Sequence, residues 1–320
     1  MSLTYDPDIA RALSAFPATQ DSQASDVGDV KGVREGLSSL TASLTSTILD
    51  PGDVEIKSYT VKAADGHDIP ITGFRKMVAL SSDTPGPAVL HLHGGGYIAL
   101  SVKEYVMSIK MLVSTSAIPF FSVDYRLAPE NPFPTALEDA YTAVSWLSET
   151  STTLNVDPAR IAIYGDSAGG GLAAALAIVC RDRHLNPPIT KQILIYPMLD
   201  DRTTHRNGKL DPFLLWSVDN NIVGWRAYLG KLCGTDRVSS YAAPARARSL
   251  DGLPETYLDV GGLDLFREEN IAYVARLTEA NVPVEFHLFP GVPHAFELLA
   301  PEAEVTRKAL ATRLRALMSF

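Results

Sequence analysis

The run Arg160-Ile-Ala-Ile-Tyr-Gly-Asp-Ser-Ala-Gly-Gly-Gly171 constrains this chain more than any other stretch. Residues 161–164 are apolar and β-branched and read as a buried strand. Residues 172–179 continue as an Ala/Leu-rich helix. Between them sits Gly-x-Ser-x-Gly centred on Ser167, a strand–turn–helix arrangement that lifts a serine hydroxyl into the open. Side chains flanking such a tight turn collide with the strand and helix, so glycines bracket the serine. The following helix aims its first N–H groups and its positive dipole end at the place where an attacking alkoxide builds charge. A glycine-rich turn with no chemistry has the same local pattern. The rest of the chain decides between the two.

A serine alcohol needs a base, and the base needs an orienting acid. Five of the seven histidines precede the last two strand-like runs. His287 lies within the run 284–289 and reads as a structural edge residue. His294 follows that run in Pro290-Gly-Val-Pro-His-Ala-Phe296, at the strand end where open α/β sheets place ligands. Asp264 follows Val260-Gly-Gly-Leu at the next strand end. Asp259 lies inside that strand and Asp251 in a turn, so both are weaker choices. An imidazole must be neutral to act as base, so this reading predicts activity that rises with pH. A fourth element is His93-Gly-Gly-Gly-Tyr97, directly after the apolar run 88–92, whose bare N–H groups suit a tetrahedral oxyanion. No Lys-Ser/Thr pair follows these glycines, which removes the phosphate-loop reading.

Alternation organises the whole chain. Strand-like runs at 54–61, 69–77, 88–92, 119–124, 161–164, 192–196, 256–260 and 284–289 intersperse with helical patterns at 137–147, 172–179, 268–280 and 303–318. The first two strands pair across Asp65-Gly66. The last helix shows Val305, Leu310, Leu314 and Leu317 on one side. The pattern predicts an α/β fold with a mostly parallel sheet covered on both faces. Residues 1–50 hold two amphipathic pieces, with Ile9, Leu13 and Phe16 on one face of the first. The second carries Leu37, Leu40, Leu44 and Ile48. Residues 200–232 interrupt the alternation with a polar stretch and then Phe213, Trp216, Ile222, Trp225 and Tyr228. The predicted organisation is N-terminal cap helices over 1–50, a core over 51–199, a cap insertion over 200–232 and the remaining core over 233–320.

Net charge of −9 with no basic, aromatic-interleaved patch argues against nucleic acid as a partner. Cys180 and Cys233 have no metal-ligand spacing, and no metal is expected. No run reaches 18 apolar residues and the first sixteen do not form a secretory signal. No membrane span and a cytoplasmic location are therefore expected.

His93-Gly-Gly-Gly-Tyr97, Asp124-Tyr-Arg-Leu-Ala-Pro-Glu130, Gly165-Asp-Ser-Ala-Gly-Gly170, Gly262-Leu-Asp264 and Pro293-His294 together resemble the hormone-sensitive-lipase-like branch of α/β-hydrolase carboxylesterases. The order Ser…Asp…His agrees with that fold. The resemblance implies an eight-stranded sheet with a helical cap, and hydrolysis of short- to medium-chain acyl esters through an acyl-enzyme without a cofactor. It also implies oxyanion donors at Gly95, Gly96 and Ala168, and a homodimer as a possible assembly. Arg126 and Glu130 are expected to anchor loops. Tyr97, Asp166, Tyr196, Phe213, Trp216, Ile222, Leu265 and Phe266 are the expected substrate-pocket residues. Two positions depart from the branch: Leu265 stands where proline is frequent, and Ala295 where glycine is frequent. Lactone, amide or carbamate cleavage by the same triad is the alternative, as is a non-catalytic receptor on the same fold. The complete triad and glycines argue against the receptor.

Overall fold

The computed structural model describes residues 3–15, 29–45, 48–77 and 84–320. The expected position of Phe16 lies outside them. Strands β1 (Val54–Lys62) and β2 (Asp68–Lys76) form an antiparallel hairpin, in which Val61 faces Ile69 across the Asp65-Gly66 turn. β3 (Gly86–Leu92), β4 (Phe120–Val123), β5 (Val156–Asp166), β6 (Lys191–Ile195), β7 (Glu255–Gly261) and β8 (Val284–Phe289) complete one eight-stranded sheet. Its order is β1-β2-β4-β3-β5-β6-β7-β8, and every pair from β4 through β8 is parallel. Most residues of β3 to β7 are buried because helices cover both faces of the sheet. Such strands read as unbroken hydrophobic runs.

The described helices are α1 (Pro7–Ala15), α2 (Val30–Thr45), α3 (Val102–Ser116), α4 (Thr135–Glu149), α5 (Ala168–Asp182), α6 (Val218–Leu229), α7 (Arg267–Glu279), α8 (Phe296–Leu299) and α9 (Glu304–Leu317). α3 has no counterpart among the helical patterns above. Its start nevertheless carries a capping box, in which Ser101 and Glu104 exchange hydrogen bonds with each other's backbone. α5 is buried over its first thirteen residues, and its small side chains let it pack close to the sheet. Cys180 lies in that buried part, where burial pushes its thiol up to about 12, and both cysteines are free.

Two amphipathic assignments change. On α2 the buried positions are Val33, Thr41 and Leu44, while Leu40 is exposed and Ile48 lies past the helix end. On α9 the buried residues are Thr306, Ala309, Arg313, Ala316 and Leu317, and Leu310 faces outward. The apolar stripe misled because α9 buries an arginine against carboxylates. The region without strands is also longer than 200–232, running from the end of β6 to the start of β7.

The N-terminal pieces dock on functional loops. The N–H of Asp6 donates to the Gly291 carbonyl at 2.8 Å, and Ile9 is buried with Val292 and Phe296. Arg34 of α2 donates to the carbonyls of Ile98 (2.6 Å) and Ala128 (2.9 Å) and pairs with Glu130 at 2.6 Å. Arg126 is held by Asp139 and Asp65. Arg126 and Glu130 therefore anchor loops, as the sequence predicts; the partner Arg34 was not foreseen.

Candidate active site

Ser167 occupies the single residue between β5 and α5, at φ 56°, ψ −119°. This conformation is strained for a residue with a side chain. Three backbone hydrogen bonds hold it. Its N–H donates to Ile195 O at 2.9 Å, and its carbonyl accepts from Gly171 (3.0 Å) and Met198 (2.9 Å). A Cβ on Gly165 would lie 2.1 Å from the Gly169 carbonyl oxygen, and one on Gly169 would lie 2.0 Å from that of Leu92. Neither backbone can give way, so both positions require glycine.

The loops after β7 and β8 are zipped to each other. Gly262 N–H donates to Phe289 O at 2.7 Å and Leu263 N–H to Val292 O at 3.0 Å. This brings Asp264 and His294 into line with the serine. His294 Nε2 is 3.0 Å from Ser167 Oγ, and its Nδ1 is 2.7 Å from Asp264 Oδ2. The other carboxylate oxygen, Asp264 Oδ1, accepts the Phe266 N–H at 2.9 Å. Asp264 is fully buried, and Ser167 and His294 are nearly so. Ala295 adopts φ 54°, ψ 33°, so the branch's frequent glycine is replaced here by a residue that takes the left-handed conformation at some cost.

The glycine loop after β3 supplies N–H groups. Gly94 N–H donates to Tyr105 Oη at 3.0 Å, and a Cβ at Gly94 would sit 3.3 Å from Ser167 Cβ. Gly95 (φ 118°) and Gly96 (φ 63°) take conformations natural to glycine. Among the described residues neither their N–H groups nor that of Ala168 has a protein acceptor. The insertion packs directly on this loop. The Trp216 ring would lie 2.5 Å from a Cβ on Gly96, and a Cβ on Gly224 of α6 would lie 2.6 Å from the Gly96 carbonyl oxygen.

The other histidines separate from this group. His67, His184 and His205 are exposed. His287 lies on edge strand β8, bonded to Glu285 at 2.6 Å and stacked on Phe289. His91 is buried between Ser122 (2.7 Å) and Asp166 (3.1 Å), bracing the residue before the nucleophile. His93 is stacked on Tyr125 and bonds the Gly94 carbonyl at 2.8 Å, and burial pulls its imidazole down to about 4. A depressed histidine contributes stability that is present above the unfolded value near ~6.5 and is lost as pH falls toward 4. The difference corresponds to about 3 kcal/mol for a fully buried ring. Urea unfolding between pH 7 and pH 4.5 should therefore show a steeper loss in the wild type than in His93→Asn. Parallel losses would contradict this assignment.

Most expected pocket residues serve as packing. Tyr97 stacks on Tyr228 at 4.2 Å and donates to Met198 O. Asp166 is engaged with His91, and Phe213 packs edge-on against Tyr5. Ile222 is half-buried against the main core, and Trp225 of the same insertion is fully buried against Tyr97. Tyr196 and Phe266 flank the imidazole of His294, with ring centroids 4.5 and 5.3 Å away. Leu265 is the expected residue that lines an open cavity of about 800 Å³, together with Arg202, Thr203, His205, Leu210 and Glu269. Glu269 accepts the N–H groups of Leu199 and Asp200, and burial raises its carboxyl well above the ordinary range. It and Tyr105 were missed by sequence reasoning. A lone glutamate on α7 or tyrosine on α3 carries no local signal of what it will meet.

A family model described as the α/β hydrolase fold matches residues 89–298. Carboxylesterase NlhH of Mycobacterium tuberculosis is 32% identical over 321 residues, covering 98% of this chain and 96% of its own. Esterase LipI of the same organism is 36% identical over 217 residues, a match spanning 66% of this chain and 65% of that protein. Among solved structures, a bacterial heroin esterase superposes with a TM-score of 0.87 at 33% identity, covering 98% of this chain and 97% of that one. The chain belongs to the α/β-hydrolase fold family, in the hormone-sensitive-lipase-like branch of carboxylesterases that its motifs resemble.

Proposed function

We propose that the protein is a carboxylic ester hydrolase that works through an acyl-enzyme on Ser167. The observation that carries this is the continuous chain Ser167 Oγ–His294–Asp264 Oδ2, with spacings of 3.0 and 2.7 Å, beside three N–H groups that have no acceptor among the described residues. His294 Nε2 takes the serine proton as Oγ attacks the ester carbonyl. The oxyanion then forms against the N–H groups of Gly95, Gly96 and Ala168, beside side chains that are almost wholly buried. His294 passes the proton to the departing alcohol, and water repeats the sequence on the acyl group. Asp264 keeps the imidazole in the tautomer that can accept. These steps call on side chains, backbone and water alone.

Residues 1–50 and the 200–232 insertion act as the cap over this site. Arg34, the Asp6–Gly291 bond and the Trp216–Gly96 contact tie them to the catalytic loops. The cavity bordered by Leu265 and Thr203 has the size of a small-molecule site and takes part of the ester. The substrates are small esters of short to medium acyl chains. Among the described residues no helix is long and apolar enough to cross a membrane. The enzyme works in the cytoplasm, with two copies pairing along the edge strand β8.

A series of p-nitrophenyl esters of increasing acyl length tests the reading. Turnover should peak at short to medium chains and fall steeply for long ones. Absence of hydrolysis with every member, while a lactone, amide or carbamate is cleaved, would replace it.

A further inference from the structure

We propose that Tyr196 is a positioning residue for His294, held against the imidazole by a buried ion cluster of Glu297, Arg313 and Asp259. The inference rests on the Ser167–His294–Asp264 reading above and extends it outward. Tyr196 follows the end of β6 at φ 35°, with its N–H bound to Asp259 O at 2.7 Å and its ring 4.5 Å from that of His294. Its hydroxyl donates to Glu297 Oε1, three residues past His294. Arg313, from α9, binds Asp259 through Nε (2.6 Å) and Nη2 (2.9 Å) and pairs with Glu297 Oε1 at 3.0 Å. Its guanidinium also lies 5.4 Å from the Tyr196 ring centroid. Tyr257 completes the cluster by donating to Asp259 at 2.9 Å.

Stability alone does not account for this arrangement. Two carboxylates and one guanidinium are removed from water, and apolar packing commonly stabilises a core as well as a buried ion group does. Glu297 Oε2 is moreover buried without a hydrogen-bond partner among the described residues. Burial alone would raise the Glu297 carboxyl, yet Arg313 and the Tyr196 hydroxyl hold it below the ordinary value. It thus remains a charged acceptor for the tyrosine. What the cluster delivers is location. It joins the ends of β6 and β7, the base loop and α9, and sets one aromatic wall of the imidazole. Phe266, fixed through Asp264, sets another. The imidazole has to trade a proton across 3.0 Å twice per turnover, and a displacement near ~1 Å can cost on the order of a hundredfold.

The test measures kcat and KM per active serine titrated with a fluorophosphonate, in Tyr196→Phe, Glu297→Gln and the double variant. Each single change should lower kcat by about fivefold to tenfold with KM within about twofold. The double variant should lose no more than either single one, because both cut the same link. Wild-type kcat in Tyr196→Phe, a change carried by KM, or losses that multiply in the double variant would overturn the proposal. Tyr196→Phe keeps the ring, so its kcat decides the matter even where Glu297→Gln fails to fold. Hydrolysis that survives in Ser167→Ala would sink the triad reading itself, whereas a wild-type Tyr196→Phe sinks only this inference.

Discussion

Replacing Ser167 by alanine should lower kcat by about ten-thousandfold to a millionfold while leaving the fold intact. Alanine removes one oxygen from a turn fixed by backbone bonds to Ile195, Gly171 and Met198, none of which involves the side chain. The cost of the unusual dihedrals is unchanged, since alanine meets the same strain as serine. Unfolding temperature should therefore stay close to the wild type, and ester binding should persist because the cavity and its walls are untouched. A steady-state assay beside a melting curve separates the two effects. Loss of both would mean that the serine is a structural residue.

Asp264→Asn should be nearly as damaging, about a thousandfold to ten-thousandfold in kcat. The structure gives a specific reason. Asp264 Oδ1 accepts the Phe266 N–H at 2.9 Å, so in the amide the oxygen is drawn to that donor. The NH₂ group then faces His294 Nδ1, where a carboxylate oxygen stood at 2.7 Å. A donor opposite Nδ1 forces the proton onto Nε2, the atom that has to accept from Ser167. The imidazole stays in place in the wrong tautomer. Because Asp264 is fully buried, no solvent exchange rescues it. Turnover falls while KM changes little; unaltered kcat in Asp264→Asn would remove the aspartate from the chemistry.

Much of this site is written locally. The glycines around Ser167 and the apolar runs at β3 to β7 need only short-range sterics and a two-sided sheet, so their elements are legible to within a few residues. The triad candidates follow because each sits just past the C-terminal end of a strand, and parallel strands bring those ends to one edge of the sheet. Other features depend on partners far along the chain. Arg34 finds Glu130 ninety-six residues away, and Arg313 finds Asp259 across fifty-four. That second pairing explains the error on α9, where the buried face contains an arginine and Leu310 does not belong to it. Phe213, Trp216 and Ile222 read as pocket residues in the sequence because large apolar side chains signal burial without saying against what. Trp225 and Tyr228 pack on Tyr97, and Trp216 covers the glycine expected to hold the oxyanion. α3 has no counterpart in the sequence reading, although its capping box and the helical spacing of Val102, Val106, Ile109 and Val113 are both written locally.

Labelling by a fluorophosphonate, read by intact mass and then by peptide mapping, tests the central claim most directly. The account predicts one phosphonyl group per chain, carried on Ser167, with turnover lost in proportion to labelling. It predicts no label in Ser167→Ala. Label on another residue with Ser167 free, or full hydrolysis by a chain labelled at Ser167, would contradict it.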